Sequence, residues 1–175
     1  DCYEYGIYMN GNNGSLVQGN DISRPLRATV TTFRGIGSSG VSYNLRVNAN
    51  RIHNPFGGAA ASTSSAYGIY QTTNDAIAAN QNIYSNNLIY DFIGSTGTRN
   101  GVLNIGSDYS EYYHNTIIMN DTAATCAACN VRGFYLQTAV ATGLVYKKNI
   151  VHISQGGTAA KQGIYFEGTT TQLFT

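Results

Sequence analysis

The chain has 175 residues, with 10 Lys plus Arg against 9 Asp plus Glu, so its net charge is near +1. That balance gives no electrostatic reason to expect nucleic acid or an anionic membrane as a partner. Only 11% of residues are charged, with 20 Gly, 14 Tyr and no Trp, which argues against a helical protein and for an all-β chain with many turns.

The first residues carry no basic-then-apolar pattern of a secretory signal, and no run reaches the roughly 18 apolar residues of a membrane span. Tyr5-Gly6-Ile7-Tyr8 opens the chain and comes back in variants around Gly35, Gly68, Gly101, Gly133 and Gly163. The spacings are 29, 33, 33, 32 and 30 residues. A repeat of that length is one supersecondary unit that must stack on its neighbours to bury its apolar face.

Each repeat reads as three short strands. The first follows the glycine, at Ile7, Ile36, Ile69, Val102, Phe134 and Ile164. A Gly/Asn/Ser/Thr turn leads to the second, at Ser15–Gln18, Leu45–Asn48, Asn82–Ser85, Glu111–Tyr113 and Leu144–Lys147. That strand ends at Asn20, Asn50, Asn87, Asn115 or Asn149, and two residues on Ile22, Ile52, Ile89, Ile117 or Val151 heads the third. The glycine-to-asparagine distances are 14, 15, 19, 14 and 16, the outlier carrying an insertion around Asn74–Asn80. The variable segments after the third strand are small and polar and read as surface loops.

Three strands and three turns per repeat predict one coil of a parallel β-solenoid. Stacked coils would lie about 4.8 Å apart. The post-glycine residues and the N-x-I residues would form two interior columns, and the corner asparagines a ladder of amides, each placed at a bend whose backbone Asn tolerates. Neither end carries a polar capping segment, which solenoids need, so residues 1–175 are expected to be a single β-helix segment of a longer chain. Exposed coil ends stacking on neighbouring domains or copies is the other expectation.

Several residues are candidates for chemistry or binding. Tyr8, Tyr70, Leu103, Tyr135 and Tyr165 fall on one exterior column with a gap at Gly37. Their rings could stack on sugars or pack on one another. Asp75 and Asp108 both lie seven residues after their glycine. As vertical neighbours they could share a proton or hold Ca²⁺; otherwise they are turn aspartates bonding local backbone. Asn13, Ser42 and Val140 hold the matching positions elsewhere, so the column is not generally acidic. His53, His114 and His152 sit in different repeats and predict no metal site, and no other cofactor is called for.

Cys126 and Cys129 form a C-x-x-C within a loop, without a thioredoxin-like setting. A local disulfide is the favoured reading, consistent with an oxidising compartment. Asn13-Gly14-Ser15 and Asn120-Asp121-Thr122 match the N-glycan sequon, and Asp121-Thr122-Ala123 looks like a short O-glycan acceptor at Thr122.

The G-I-x-hydrophobic starts and N-x-I corners resemble the right-handed parallel β-helix repeats of the pectin-lyase-like superfamily. The asparagine-rich corners and long Ala/Thr/Gly loops are also similar in style to large secreted surface proteins of bacteria. The resemblance implies an all-β right-handed parallel β-helix of five to six coils. It leaves activity open, because that fold carries lyases, hydrolases, adhesins and stalks. The leading expectation is a non-catalytic extracellular structural or adhesive segment, secreted or at the cell surface. The alternatives are a carbohydrate-active enzyme, lyase or hydrolase, and a glycan-binding module using the tyrosine column.

Overall fold

The computed structural model describes residues 1–124, 127, 129–137 and 141–167. The first coil contains β1 (Tyr5–Asn10), β2 (Leu16–Gln18) and β3 (Asp21–Ile22), and the second β4 (Phe33–Ser39), β5 (Arg46–Asn48) and β6 (Arg51–His53). The third holds β7 (Ala66–Thr72), β8 (Asn82–Ser85) and β9 (Leu88–Tyr90), and the fourth β10 (Arg99–Ile105), β11 (Ser110–Tyr113) and β12 (Thr116–Met119). The fifth holds β13 (Val131–Leu136), β14 (Val145–Lys147) and β15 (Ile150–Ile153), and β16 (Lys161–Phe166) begins another. Each strand pairs in parallel with its counterpart one coil away. The result is a six-stranded first sheet and five-stranded second and third sheets. No helix occurs among the described residues, and the chain is a parallel β-solenoid of about five coils.

Both expected interior columns are in register. Ile7, Ile36, Ile69, Val102, Phe134 and Ile164 pair in sequence along the first sheet. Ile22, Ile52, Ile89, Ile117 and Val151 do so along the third. The middle members of each column are fully buried.

The structure explains why a glycine opens the first five repeats. A Cβ on Gly35 would lie 2.4 Å from Ile52 Cγ2, and one on Gly101 would lie 2.6 Å from Ile117 Cγ2. Each would also lie 2.7 Å from the carbonyl oxygen of the next repeat glycine. The glycine of the first strand therefore makes room for the branched residue of the third. The two sequence signatures are opposite walls of one contact, closed across the solenoid.

The corner asparagines form a continuous ladder. Asn20 Nδ2 donates to Asn50 Oδ1 at 2.9 Å, Asn50 to Asn87 at 3.0 Å, Asn87 to Asn115 at 2.9 Å and Asn115 to Asn149 at 3.0 Å. Each accepting Oδ1 also takes the backbone N–H of the asparagine one coil below, at 2.9–3.1 Å. The second amide proton goes to a carbonyl of the coil below, as from Asn87 to Val47 O at 3.0 Å. An interior amide thus uses both protons and accepts twice, the whole capacity of the group. The left-handed backbone expected at these asparagines belongs to the residue before them. Gly19 has φ 69°, Ala49 54°, Asn86 55°, His114 53° and Lys148 56°. The asparagine is needed for its side chain, and the ladder holds the preceding residue in a conformation that costs a non-glycine residue about 1–2 kcal/mol.

The second sheet points Val17, Val47, Tyr84, Tyr112 and Tyr146 inward in register. Tyr84 and Tyr112 stack at 5.4 Å, and Tyr112 and Tyr146 at 4.7 Å. Polar residues at the end of the first strand and in the first turn satisfy the Tyr84 and Tyr112 hydroxyls. Asn74 Nδ2 donates to the Tyr84 oxygen at 3.1 Å and Asn104 Nδ2 to the Tyr112 oxygen at 3.0 Å, while the Tyr112 hydroxyl donates to Gln71. Burial pushes all three tyrosines above their ordinary range.

The loops after the third strands lie at the surface and also stack. Ser95 N donates to Ala60 O at 2.7 Å and Thr96 N to Ser62 O at 2.8 Å. Two arginines are fully buried beneath them. Arg24 donates to Pro55 O at 2.8 Å and Tyr3 O at 2.6 Å, between the rings of Phe33 and Phe56. Arg99 shares an interior column with Phe33, Ala66 and Val131, reaches the carbonyls of Gly94 and Ser95, and lies 3.5 Å from the Asp121 carboxylate.

Candidate functional site

The outer face of the first sheet holds the expected aromatic column: Tyr8, Gly37, Tyr70, Leu103, Tyr135 and Tyr165 are in register. The gap expected at Gly37 is filled, because a Cβ there would lie 2.5 Å from Tyr5 Cε1 and 3.2 Å from Tyr8 Cδ2. A parallel column carries Tyr5, Arg34, Tyr67, Asn100, Arg132 and Gln162. Its arginines interleave with the rings. Arg34 lies 5.1 Å from the centre of Tyr5 and 4.5 Å from that of Tyr70, and Arg132 lies 4.2 Å from Tyr135 and 4.6 Å from Tyr165. Tyr67 stacks on Tyr70 at 5.7 Å.

Two hydroxyls and an ion pair of this ridge are also engaged. Tyr8 shares a hydrogen bond with Ser39 Oγ at 2.7 Å, Tyr135 donates to Glu167, and Glu4 pairs with Arg34. Desolvation first, and then the Glu167 carboxylate, push Tyr135 up to about 12. The guanidinium groups cover ring faces that a sugar would need, and of the four candidate tyrosines only Tyr8 is exposed, at 52%. The arginines were missed in the sequence, although each stands immediately before a repeat glycine, in the position Tyr5 and Tyr67 hold.

Asp75 and Asp108 are brought together as vertical neighbours. Asp75 Oδ1 accepts the backbone N–H of Asp108 at 3.2 Å, and Asp108 Oδ1 accepts that of Thr142 at 2.6 Å and its hydroxyl at 3.2 Å. Each carboxylate is a link to the next coil's backbone. Among the described residues, no group of three or more His, Cys, Asp and Glu side chains is arranged to hold a metal ion.

His53 and His152 share an outward column of the third sheet but stay three coils apart. His53 has a neighbour that sequence spacing did not suggest: its Nε2 lies 2.6 Å from Asp21 Oδ1. Arg51 bonds the other oxygen, and the His53 ring stacks on Tyr90 at 4.8 Å. The hydrogen bond from His53, and then that from Arg51, hold the Asp21 carboxyl below its ordinary value. The signal was the coil period, since Asp21 lies directly below Arg51.

Cys126 lies outside the described residues, and the pairing expected for it lies there too. Cys129 is buried. Asn13, Asn120 and Thr122 are all exposed, so the three sequon positions are reachable from solvent.

No protein-family model, curated protein or solved structure matches the chain. The fold defines its class, a parallel β-solenoid whose coils are tied by an asparagine ladder.

Proposed function

We propose that this chain is an extracellular structural segment, a stalk, adhesin or filament spacer, built as a right-handed β-helix of the pectin-lyase-like kind. One observation carries the reading. The side chains best placed for chemistry on the ridge and first turn are already bonded from coil to coil. The Asp75 and Asp108 carboxylates accept backbone N–H groups of the next coil, and the ridge arginines are sandwiched between tyrosine rings. A general acid or base must instead be within reach of substrate and free to exchange its proton. Glycans attached at Asn13, Asn120 or Thr122 would suit a surface location.

Acidic and neutral polysaccharides, with and without Ca²⁺, test this reading. The expected result is no release of unsaturated or reducing ends. Release that disappears in Asp108→Asn would overturn it. Pulling the chain from its two ends supplies the positive test. A spacer of this build gives way in steps of one coil, each about 100 Å for some 30 extended residues.

A further inference from the structure

Many polar side chains along this solenoid are committed to neighbouring coils, and one cleft gathers several that are not. Where the third sheet turns into its loop, a cleft of about 300 Å³ opens between the second and third coils. His53, Asn54 and Asp91 line one side, and Phe56, Ile93 and Gly94 line the other. The coil register sets the polar side: His53 pairs with Tyr90, and Asn54 N donates to Asp91 O at 3.2 Å. Asn54 and Asp91 are both left-handed, with φ 47° and 51°, a conformation their short polar side chains tolerate.

The imidazole is fixed before any ligand arrives. The Asp21 carboxylate can only accept, so Nε2 carries the proton, and Tyr90 holds the ring plane. In the neutral imidazole that leaves Nδ1 as an acceptor. The Asn54 amide and the Asp91 carboxylate make no side-chain hydrogen bond to the described residues, and both are half-buried. The cleft therefore gathers an unengaged amide, an unengaged carboxylate and an oriented imidazole beside apolar surface, with Ile93 49% exposed.

We propose that this cleft binds one neutral sugar ring. Adjacent hydroxyls of a pyranose both donate and accept, which suits a carboxylate flanked by an amide and an imidazole nitrogen. Its C–H face suits the exposed Ile93 side chain. The volume stands at the small end of ligand sites, about 300–1,000 Å³, enough for a single ring. Charge selects the class: Asp21 is matched by Arg51, whereas Asp91 has no ion-pair partner among the described residues and repels a uronate. This goes beyond the structural reading and stands or falls apart from it.

The test is an NMR titration of the folded chain with the methyl glycosides of glucose, galactose and mannose, and with galacturonate as the anionic control. At least one neutral glycoside should give saturable millimolar shifts at the His53 ring, the Asn54 amide and Gly94. Asp91→Asn keeps the left-handed corner and should weaken that binding at least tenfold with the unfolding midpoint unchanged. Tyr8→Ala, on the distant ridge, should leave it unaltered. The proposal is overturned if no neutral glycoside shifts these signals, if Asp91→Asn binds as well as the parent, or if galacturonate binds more tightly.

Discussion

Removing Asn87 from the ladder gives the most direct measure of what holds the coils together. Asn87→Ala deletes four buried hydrogen bonds: two accepted from Asn50, at 3.1 and 3.0 Å, and two donated, to Val47 O at 3.0 Å and Asn115 Oδ1 at 2.9 Å. It also strands the Asn50 backbone N–H and one amide proton in a buried corner, each costing about 1–3 kcal/mol. The expected loss is about 3–6 kcal/mol, a large part of the ~5–15 kcal/mol typical of a domain.

Asn20→Ala is the internal control. It removes an amide bonded to Asn50 Oδ1 at 2.9 Å and to Gln18 O at 3.2 Å, and that Oδ1 keeps the backbone N–H of Asn20 at 3.1 Å. The loss there should be near 1 kcal/mol. Asn149→Ala should fall between the two, because it is half-buried and strands the donors of Asn115. Urea unfolding followed by circular dichroism gives the three values. Equal costs at Asn20 and Asn87 would refute the reasoning, because the argument rests on burial and on stranded donors.

Four further outcomes are expected. Gly68→Ala places a Cβ 2.6 Å from Gly101 O and 2.8 Å from two Ile89 carbons; backbone cannot yield cheaply, so urea titration should show a loss of about 1–3 kcal/mol or more. Ala49→Gly relieves a left-handed alanine at φ 54° and should raise the unfolding free energy read from urea titration by about 0.5–1 kcal/mol. The lowered carboxyl of Asp21 contributes stability that is whole above its unfolded value of about 3.9 and is lost as pH falls through the lower folded one. Urea midpoints compared at pH 5 and near pH 2 should therefore drop less in Asp21→Asn. Tyr84, Tyr112 and Tyr146 have raised values, so stability holds below about pH 10 and falls as pH rises further; tyrosinate absorbance should show them ionising only with cooperative unfolding, and smooth titration of all 14 tyrosines in a folded chain would contradict their burial.

The coil was legible because its period, glycine and N-x-I corner each reflect a contact repeated between neighbours. Ile52 meets Gly35 and Ile117 meets Gly101, so the pattern recurs wherever the contact does. What escaped was the chemistry of single rungs. Arg99 occupies an apolar column and looks like a surface residue until the Gly94 and Ser95 carbonyls and Asp121 are seen around it. Asp21 and His53 are 32 residues apart, and only the one-coil register makes them partners. The aspartates at 75 and 108 were legible as neighbours, while the direction of their bonds, into the next coil's backbone, depends on turn geometry that spacing does not specify.

The insertion in the third repeat shows which parts of a coil can change freely. The glycine-to-asparagine distance stretches to 19 residues there, yet Tyr84 still pairs with Val47 below and Tyr112 above. The extra residues leave the solenoid at the first turn, where Ile77 is 46% exposed and Asn80 N closes onto Ile77 O at 2.9 Å. Sheet register and the ladder are therefore fixed by side chains within the strands and the asparagine corner, while the other two turns vary in length yet anchor single side chains, such as Asn74 on Tyr84 and the buried Phe56 and Phe92, to the body of the coil. A function that needs new side chains can be added at those turns without breaking coil stacking. The His53–Asp91 cleft lies at one of them. A variant that reshapes its apolar wall, such as Ile93→Ser, should accordingly alter sugar binding while leaving the unfolding free energy within about 0.5 kcal/mol of the parent. A larger loss of stability would show that the loop belongs to the packed body of the coil.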